Sequence, residues 1–222
     1  MRVFAILLAL AAFAAGAPKK SAPTFRAAPP ITEVTDDAQP LVKRAIASMQ
    51  KGDLAHAKQD LEQVLKLTPN HAIALLDLGI SAYRKTNFRE AESLLQRAVR
   101  SDPDLAQGWF ILGVVRLDQG KLDASLAALA QAVFLDPKNA RAHHHLGVTI
   151  GRKGWYSGAE DEMRKAIELQ PDYAEAHFNL ALFYLQRQPP AAELARRHYQ
   201  KALDLGAAPD ADVAKSLAEP KE

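Results

Sequence analysis

The sequence predicts an all-α protein built from a repeated pair of helices. The first observation is a set of prolines spaced 34 residues apart, namely Pro69, Pro103, Pro137 and Pro171. The second is that leucines, glycines and alanines recur in the same register, as at Leu112, Gly113 and Ala132. The third is that each period contains two amphipathic stretches separated by a short break. Self-similarity at a fixed period of this length is typical of a solenoid.

The residues of each period explain why two helices form. "HAIALLDLGISAYRK" has a broad apolar helical face, and "REAESLLQRAVRSDP" has a second one after the break at "TNF". Small residues at the glycine and alanine positions allow two antiparallel helices to approach closely. The proline ends the second helix, and a polar neighbour is the candidate N-cap of the next helix, at Asn70, Asp104 and Asp172. Because one pair cannot bury its apolar faces alone, we expect the pairs to stack.

The third and fifth periods carry the clearest family signature. The third has "WFILG" at Trp109–Gly113, followed by Ala132 and Pro137, and the fifth has "HFNLALFY" at His177–Tyr184. These residues resemble the tetratricopeptide repeat (TPR), a helix–turn–helix unit of 34 residues. The resemblance covers about residues 38–208. It implies a right-handed α-solenoid of antiparallel helix pairs, a TPR superhelix, in a bacterial-type exported protein that binds other proteins.

The N-terminal segment precedes the first repeat. Residues 1–17, "MRVFAILLALAAFAAGA", are typical of a signal peptide, since Arg2 is followed by an apolar run of roughly 12–15 residues. That run is shorter than the ~20 residues that a spanning helix requires. We therefore expect an exported protein, periplasmic or secreted, with no membrane span after cleavage. A retained anchor is the alternative, and cleavage after Ala14, Gly16 or Ala17 stays open. Residues 18–37 contain four prolines and predict a flexible Pro/Ala-rich linker.

Five repeats follow the linker. We place them at residues 38–71, 72–105, 106–139, 140–173 and 174–208. The last contains two additional residues, most simply at the "RQPP" turn around Pro189 and Pro190, and its closing proline is displaced to Pro209. Residues 209–222 are predicted to be a C-terminal capping helix, "DADVAKSLA", and a tail, because the end of a solenoid needs a polar cap.

Composition and motifs argue against several classes of function. The chain has no cysteine, which excludes disulfides, thiolate metal sites and a cysteine nucleophile. A net charge of +2 does not by itself indicate a nucleic acid or an anionic membrane as partner. "GVVRLDQGKL" resembles a phosphate loop, but its glycine spacing and Leu122 do not fit. The acidic run Glu160–Glu162 is expected to be solvated. We predict no enzyme activity, no catalytic residue and no cofactor.

The run of three histidines at residues 143–145 is the most obvious candidate for chemistry. Successive side chains on a helix point ~100° apart, so three neighbours cannot converge on one metal ion. A helical metal pair needs ligands three or four residues apart, and Leu146–Thr149 supply none. In the repeat register His143 takes the packing position of Trp109, and His144 faces a candidate groove. We therefore predict no metal site.

The TPR resemblance also implies a binding surface, because in that family the first helix of each repeat lines a concave groove. Carried onto this sequence, the candidate groove residues are Val42, Ile46, Leu76, Ile80, Tyr83, Phe110, Val114, Leu117, Arg141, His144, Val148, Phe178 and Leu182. This set is largely apolar, which favours an apolar peptide or amphipathic helix as ligand. The alternative for each residue is packing against the neighbouring repeat.

These observations predict a non-catalytic scaffold or adaptor that binds an unidentified protein or peptide partner. The lysine/asparagine clamp by which some TPR proteins bind chaperone tails is disfavoured, because Val42 and Ile46 stand where it needs Lys and Asn. Only Asn179 matches a clamp residue type. A second hypothesis is a homo-oligomeric assembly factor of the cell envelope that associates through the groove or an end helix. A third is an unrecognised enzyme.

Overall fold

A computed structural model describes residues 38–218 of the chain. Within that range it forms eleven helices and no strand, so the predicted all-α fold of repeated helix pairs is confirmed. The predicted signal peptide at 1–17, the linker at 18–37 and the last four residues lie outside the described range. The chain divides into two compact units after Leu135.

The described part of the first unit, residues 38–135, consists of three helix pairs. Three residues separate the two helices of each pair, which makes the pairs antiparallel hairpins, and each pair packs against the next. Fully buried leucines such as Leu75, Leu95 and Leu112 form the centre of its core. The helices are α1 (Gln39–Gln50), α2 (Leu54–Leu67), α3 (Ala72–Arg84), α4 (Phe88–Ser101), α5 (Ala106–Asp118) and α6 (Leu122–Leu135).

The described part of the second unit, residues 136–218, has two helix pairs and a final short helix. Five residues join α9 to α10 instead of three, so the two additional residues of the fifth repeat lie in the predicted turn. Val213 and Leu217 of the final helix pack into a core with Met163 and Leu180. The helices are α7 (Ala140–Arg152), α8 (Tyr156–Leu169), α9 (Ala174–Gln186), α10 (Ala192–Asp204) and α11 (Ala211–Ala218).

Two positions of the repeat depend on glycine. At Gly113 a Cβ atom would lie 2.5 Å from Cγ of Leu129 on the paired helix, so α5 and α6 approach closely because no side chain intervenes. The turn after the first helix needs a left-handed residue, such as Gly120 with φ of 74°. Thr86 occupies the same repeat position with φ of 58°, a conformation that a β-branched residue adopts at a cost.

The predicted caps Asn70, Asp104 and Asp172 are wrong. The first helix of each repeat begins one residue later than that prediction requires, so its N-caps are His71, Leu105, Asn139 and Tyr173. His71 and Asn139 accept hydrogen bonds from the amides of Ala74 and Ala142. The backbone turn after the proline therefore determines where the first helix of each repeat starts. The second residue after the proline becomes the N-cap, whatever its side chain.

The prediction of a solvated acidic run is wrong for Glu160. Its side chain is 2% exposed and accepts hydrogen bonds from Arg164 and Arg187. Two arginines compensate the buried carboxylate, and Arg187 ties α8 to the enlarged turn after α9. Asp161 is exposed, as expected.

None of the helices in the described part of the chain combines the length and the apolar character of a membrane-spanning segment.

Candidate functional site

The predicted groove residues differ widely in exposure. In the first unit Leu76, Phe110, Val114 and Leu117 are buried, Ile46 is exposed, and the others are half-buried, namely Val42, Ile80 and Tyr83. In the second unit His144 is buried, Arg141 is exposed, and the others are half-buried, namely Val148, Phe178 and Leu182. Leu76 belongs to the core cluster around Leu75, which agrees with the packing alternative for that residue. The role of the set in binding stays a prediction.

Three of these residues, Arg141, His144 and Phe178, line one cavity of the second unit. The cavity has a volume of ≈ 1010 Å³, is open to solvent, and is bounded by the start of α7, the start of α9 and the segment 205–208 before α11. Tyr173 and Asn179 complete its polar wall. Three of the thirteen predicted groove residues thus line this cavity, together with polar residues that the prediction did not include.

His144 lies at the centre of this wall. Its Nδ1 is 3.2 Å from the Tyr173 hydroxyl, and its Nε2 is 2.9 Å from the side-chain amide of Asn179. Burial, together with repulsion from His145 and Arg141, lowers the pKa of His144 to about 3. The imidazole is therefore neutral near pH 7, with one nitrogen that donates and one that accepts.

Because His144 is neutral, its tautomer determines which hydrogen-bond donors and acceptors of the wall remain for a ligand. When the Asn179 amide donates to Nε2, the Nδ1–H group donates to the Tyr173 oxygen, and the phenolic hydrogen and the Asn179 carbonyl oxygen remain for another partner. Burial also raises the pKa of Tyr173, so its hydroxyl stays protonated. In the reverse arrangement, with the other tautomer and a rotated amide, the Asn179 NH₂ group supplies the remaining donors. Either arrangement presents polar groups to the cavity.

The charged residues of the lining come from different helices. Arg141 belongs to α7, whereas Asp172 and Glu175 flank the start of α9. Tyr173 and Phe178 add aromatic surface to the same lining. Such a lining suits a ligand with several hydrogen-bonding groups and a smaller apolar part.

The other two histidines of the run have separate partners. His143 donates through Nε2 to the carbonyl of Pro137, and its Nδ1 is 2.7 Å from a carboxylate oxygen of Glu162. His145 donates through Nδ1 to the carbonyl of Arg141. The three side chains therefore do not converge on one point, although His145 lines the same cavity as His144. Among residues 38–218, no three His, Cys, Asp or Glu side chains are grouped so that they could hold a metal ion.

A packing role explains His143 and its counterpart in the fifth repeat. Trp109, His143 and His177 occupy one repeat position, and each donates a ring N–H to the carbonyl of the proline six residues earlier. Nδ1 of His177 also lies 2.9 Å from Nδ1 of His198. Because Nε2 of His177 carries the donated hydrogen, His198 must be the donor in this pair when both rings are neutral.

Sequence patterns gave little notice of Tyr173 and Asn179. Tyr173 is the residue immediately before α9, where the other repeats have His71, Leu105 and Asn139. Asn179 follows the groove candidate Phe178, and its sequence signals are its match to a clamp residue type and its polar side chain beside an apolar stripe.

Comparisons with known proteins agree with this repeat architecture. Family models described as tetratricopeptide repeat match residues 42–85 and 76–140, 140–173, and 162–204. No protein with a curated description matches the sequence. A crystal structure of MamA is 26% identical, with a TM-score of 0.65, and the alignment covers 72% of this chain and 93% of that one.

Two further structures show the same fold at lower identity. MamA from Desulfovibrio magneticus RS-1 is 20% identical, with a TM-score of 0.68, over 78% of this chain and 96% of that one. YrrB, described as "a TPR protein with an unusual peptide-binding site", is 23% identical, with a TM-score of 0.68, over 81% of this chain and 90% of that one. Because these family models together match residues 42–204, the chain belongs to the tetratricopeptide repeat family.

Proposed function

We propose that this protein is a non-catalytic interaction scaffold that binds a peptide segment of its partner in the cavity of the fourth and fifth repeats. The observation that carries the proposal is the neutral His144, which pairs with Tyr173 and Asn179 and leaves hydrogen-bonding groups directed to a cavity of ≈ 1010 Å³. A peptide main chain offers both donors and acceptors, which is the complement that this wall requires.

The lining also suggests which peptide side chains are favoured. Phe178 and Tyr173 supply apolar surface for an aliphatic or aromatic anchor, in agreement with the largely apolar stripe of the groove prediction. Arg141 on one helix and Asp172 and Glu175 on the other provide opposite charges that set the direction of the bound segment. YrrB is described as having a peptide-binding site, but at 23% identity the likeness supports the fold alone.

Selection from a random peptide library tests this proposal without knowledge of the partner. Peptides selected on the wild-type protein are titrated calorimetrically against Asn179→Ala and Tyr173→Phe. Each variant removes one hydrogen-bonding group, so we expect affinity to fall by about 5- to 20-fold. Gln59→Ala, an exposed amide of α2, is the matched control and keeps wild-type affinity. Failure to select any peptide, or equal affinity for all four proteins, contradicts the proposal.

Substitution of Phe110 or Leu76 by Asp is a poor test of binding. These side chains are 5% and 2% exposed, so a buried carboxylate would destabilise the fold before it affected a ligand.

We also propose that the protein acts outside the cytoplasm. The support is the apolar segment at residues 1–17 with Arg2 before it. Fractionation of the native host and N-terminal sequencing of the mature protein test this. Export with a new N-terminus near residues 15–18 is expected, whereas an uncleaved cytoplasmic protein contradicts it.

A further inference from the structure

One helix of the first unit has an exposed face unlike that of its counterparts. Ala127, Ala130 and Phe134 of α6 are exposed, and Phe134 is 78% accessible to solvent. We call these three residues the α6 face. Their spacing of three and four residues places them on one side of the helix.

The other repeats provide an internal comparison. At the repeat position of Phe134 they have Lys66, Arg100, Glu168 and Asp204, and at that of Ala130 they have Glu62, Gln96, Arg164 and Gln200. The second helix of every other repeat is thus polar or charged where α6 is apolar. Asp123 is the one charged residue in the sequence of α6. An exposed apolar face confined to one of five equivalent positions indicates a contact surface.

We propose that the α6 face is a docking surface for a second copy of this chain. The face is self-complementary, because it has a large side chain at one end and small ones at the other. When two α6 helices cross antiparallel about a two-fold axis near residues 130–131, Phe134 of each copy meets Ala127 of the other. The alanines allow the helix axes to approach to about 8 Å, and each contact occurs twice, as an isologous interface requires.

Charge favours this occupant over a membrane. A helix that binds an anionic lipid surface carries Lys or Arg on its polar side, whereas the one charged residue of α6 is acidic. An uncharged face also brings no like charges together when it meets itself. One helix pair buries less than the 1,200–2,000 Å² of a stable interface, so the dimer is weak, with dissociation in roughly the 10 µM to 1 mM range.

Disulfide trapping tests the register directly, because the natural chain has no cysteine. Ala130→Cys in the full-length protein lies beside the proposed axis and should form a covalent dimer under mild oxidation. Glu62→Cys is the matched control, since it is exposed at the same repeat position of α2. We expect the Ala130→Cys dimer to form at least about ten times faster. Equal rates for the two variants would overturn the proposal.

Sedimentation equilibrium of the full-length protein from about 10 µM to 1 mM supplies an independent readout. Phe134→Lys should remain monomeric across the range in which wild type dimerises, whereas Trp155→Lys, at another exposed aromatic residue, should behave as wild type.

Combining Ala127→Glu with Phe134→Lys should restore dimerisation in part, because each lysine then faces a glutamate of the other copy. The proposal is contradicted if Phe134→Lys associates like wild type. It is also contradicted if the only effect of the substitution is weaker binding to vesicles of phosphatidylcholine and phosphatidylserine. Because α6 lies outside the peptide cavity, peptide affinity of these variants reports on the proposed function separately.

Discussion

The Nε2 atom of His144 lies 2.9 Å from the side-chain amide of Asn179, 35 residues further along the chain. This contact joins the first helices of two successive repeats, α7 and α9. It places a neutral imidazole in the wall of a cavity, where it fixes the Asn179 side chain and contacts Tyr173. The contact between His144 and Asn179 therefore holds two repeats together and also determines which hydrogen-bonding groups line the cavity.

Stability should depend on pH through His144. Its folded-state pKa of about 3 is lower than the unfolded value near 6.5, so the unfolded chain binds a proton that the folded chain does not. The contribution of His144 to stability is therefore complete above pH 6.5 and decreases as the pH falls toward 3. Between pH 7 and pH 5 the decrease is about 2 kcal/mol.

Urea denaturation of wild type and His144→Gln at both pH values measures this contribution. Burial also lowers the pKa of His71 and His198, so wild type loses stability for those reasons as well. The difference between the two proteins isolates His144, and the variant should lose about 2 kcal/mol less than wild type on going from pH 7 to pH 5. Parallel pH dependence of the two proteins would contradict the assignment of His144 as a neutral buried group.

Glu160 should contribute to stability although its carboxyl group is buried within a helix pair. Glu160→Gln keeps the shape but loses the charge-assisted bonds from Arg164 and Arg187, so the free energy of unfolding should fall by about 1–2 kcal/mol. Glu168→Gln, an exposed acid on the same helix, should change it by less than about 0.5 kcal/mol. Chemical denaturation of both variants decides the matter, and equal small effects would show that burial of Glu160 is energetically unimportant.

Replacement of Thr86 by glycine should stabilise the protein. Its φ of 58° belongs to the region that glycine adopts freely, and the equivalent residues Gly52, Gly120 and Gly154 are all glycines with positive φ. Thr86→Gly should raise the free energy of unfolding by about 0.5–1 kcal/mol, and Gly120→Thr should lower it by about 1 kcal/mol. Thermal melts of the two variants should thus shift in opposite directions. A lower melting temperature for both would refute the strain argument.

Two helical glycines should respond oppositely to alanine. At Gly113 a Cβ would lie 2.5 Å from Leu129, whereas at Gly158 the nearest atom is 3.5 Å away, on Ile150. Gly113→Ala should therefore lower stability by about 1–2 kcal/mol, because the helix pair must separate. Gly158→Ala should raise it by about 0.5–1 kcal/mol through helix propensity. Urea midpoints measure both, and an increase for Gly113→Ala would mean that the close approach is not required.

The fold could be predicted from the sequence because its determinants are local and repeated. The spacing of the prolines and the two apolar faces in each period predict helix pairs without knowledge of distant contacts. The two additional residues lie between α9 and α10, in the turn predicted around Pro189 and Pro190. Both the helix pairs and the additional residues could be predicted because each repeat can be compared with the others.

The polar site could not be predicted in the same way, because its contacts join residues far apart in sequence. Tyr173 and Asn179 acquire a role only when α7 brings His144 between them. Glu160 is buried because Arg187, 27 residues later, reaches it from the enlarged turn. The predicted N-caps lie one residue too early, because side-chain preference alone does not show where the backbone turn after the proline starts each helix.

The central claim is that a peptide binds in the cavity walled by α7 and α9. Amide hydrogen exchange of the full-length protein, with and without a peptide selected on it, locates the bound segment. Slower exchange concentrated at the starts of α7 and α9 and at residues 205–208 is the predicted result. Peptide-dependent protection confined to other helices, or no change at saturating peptide, would contradict the claim.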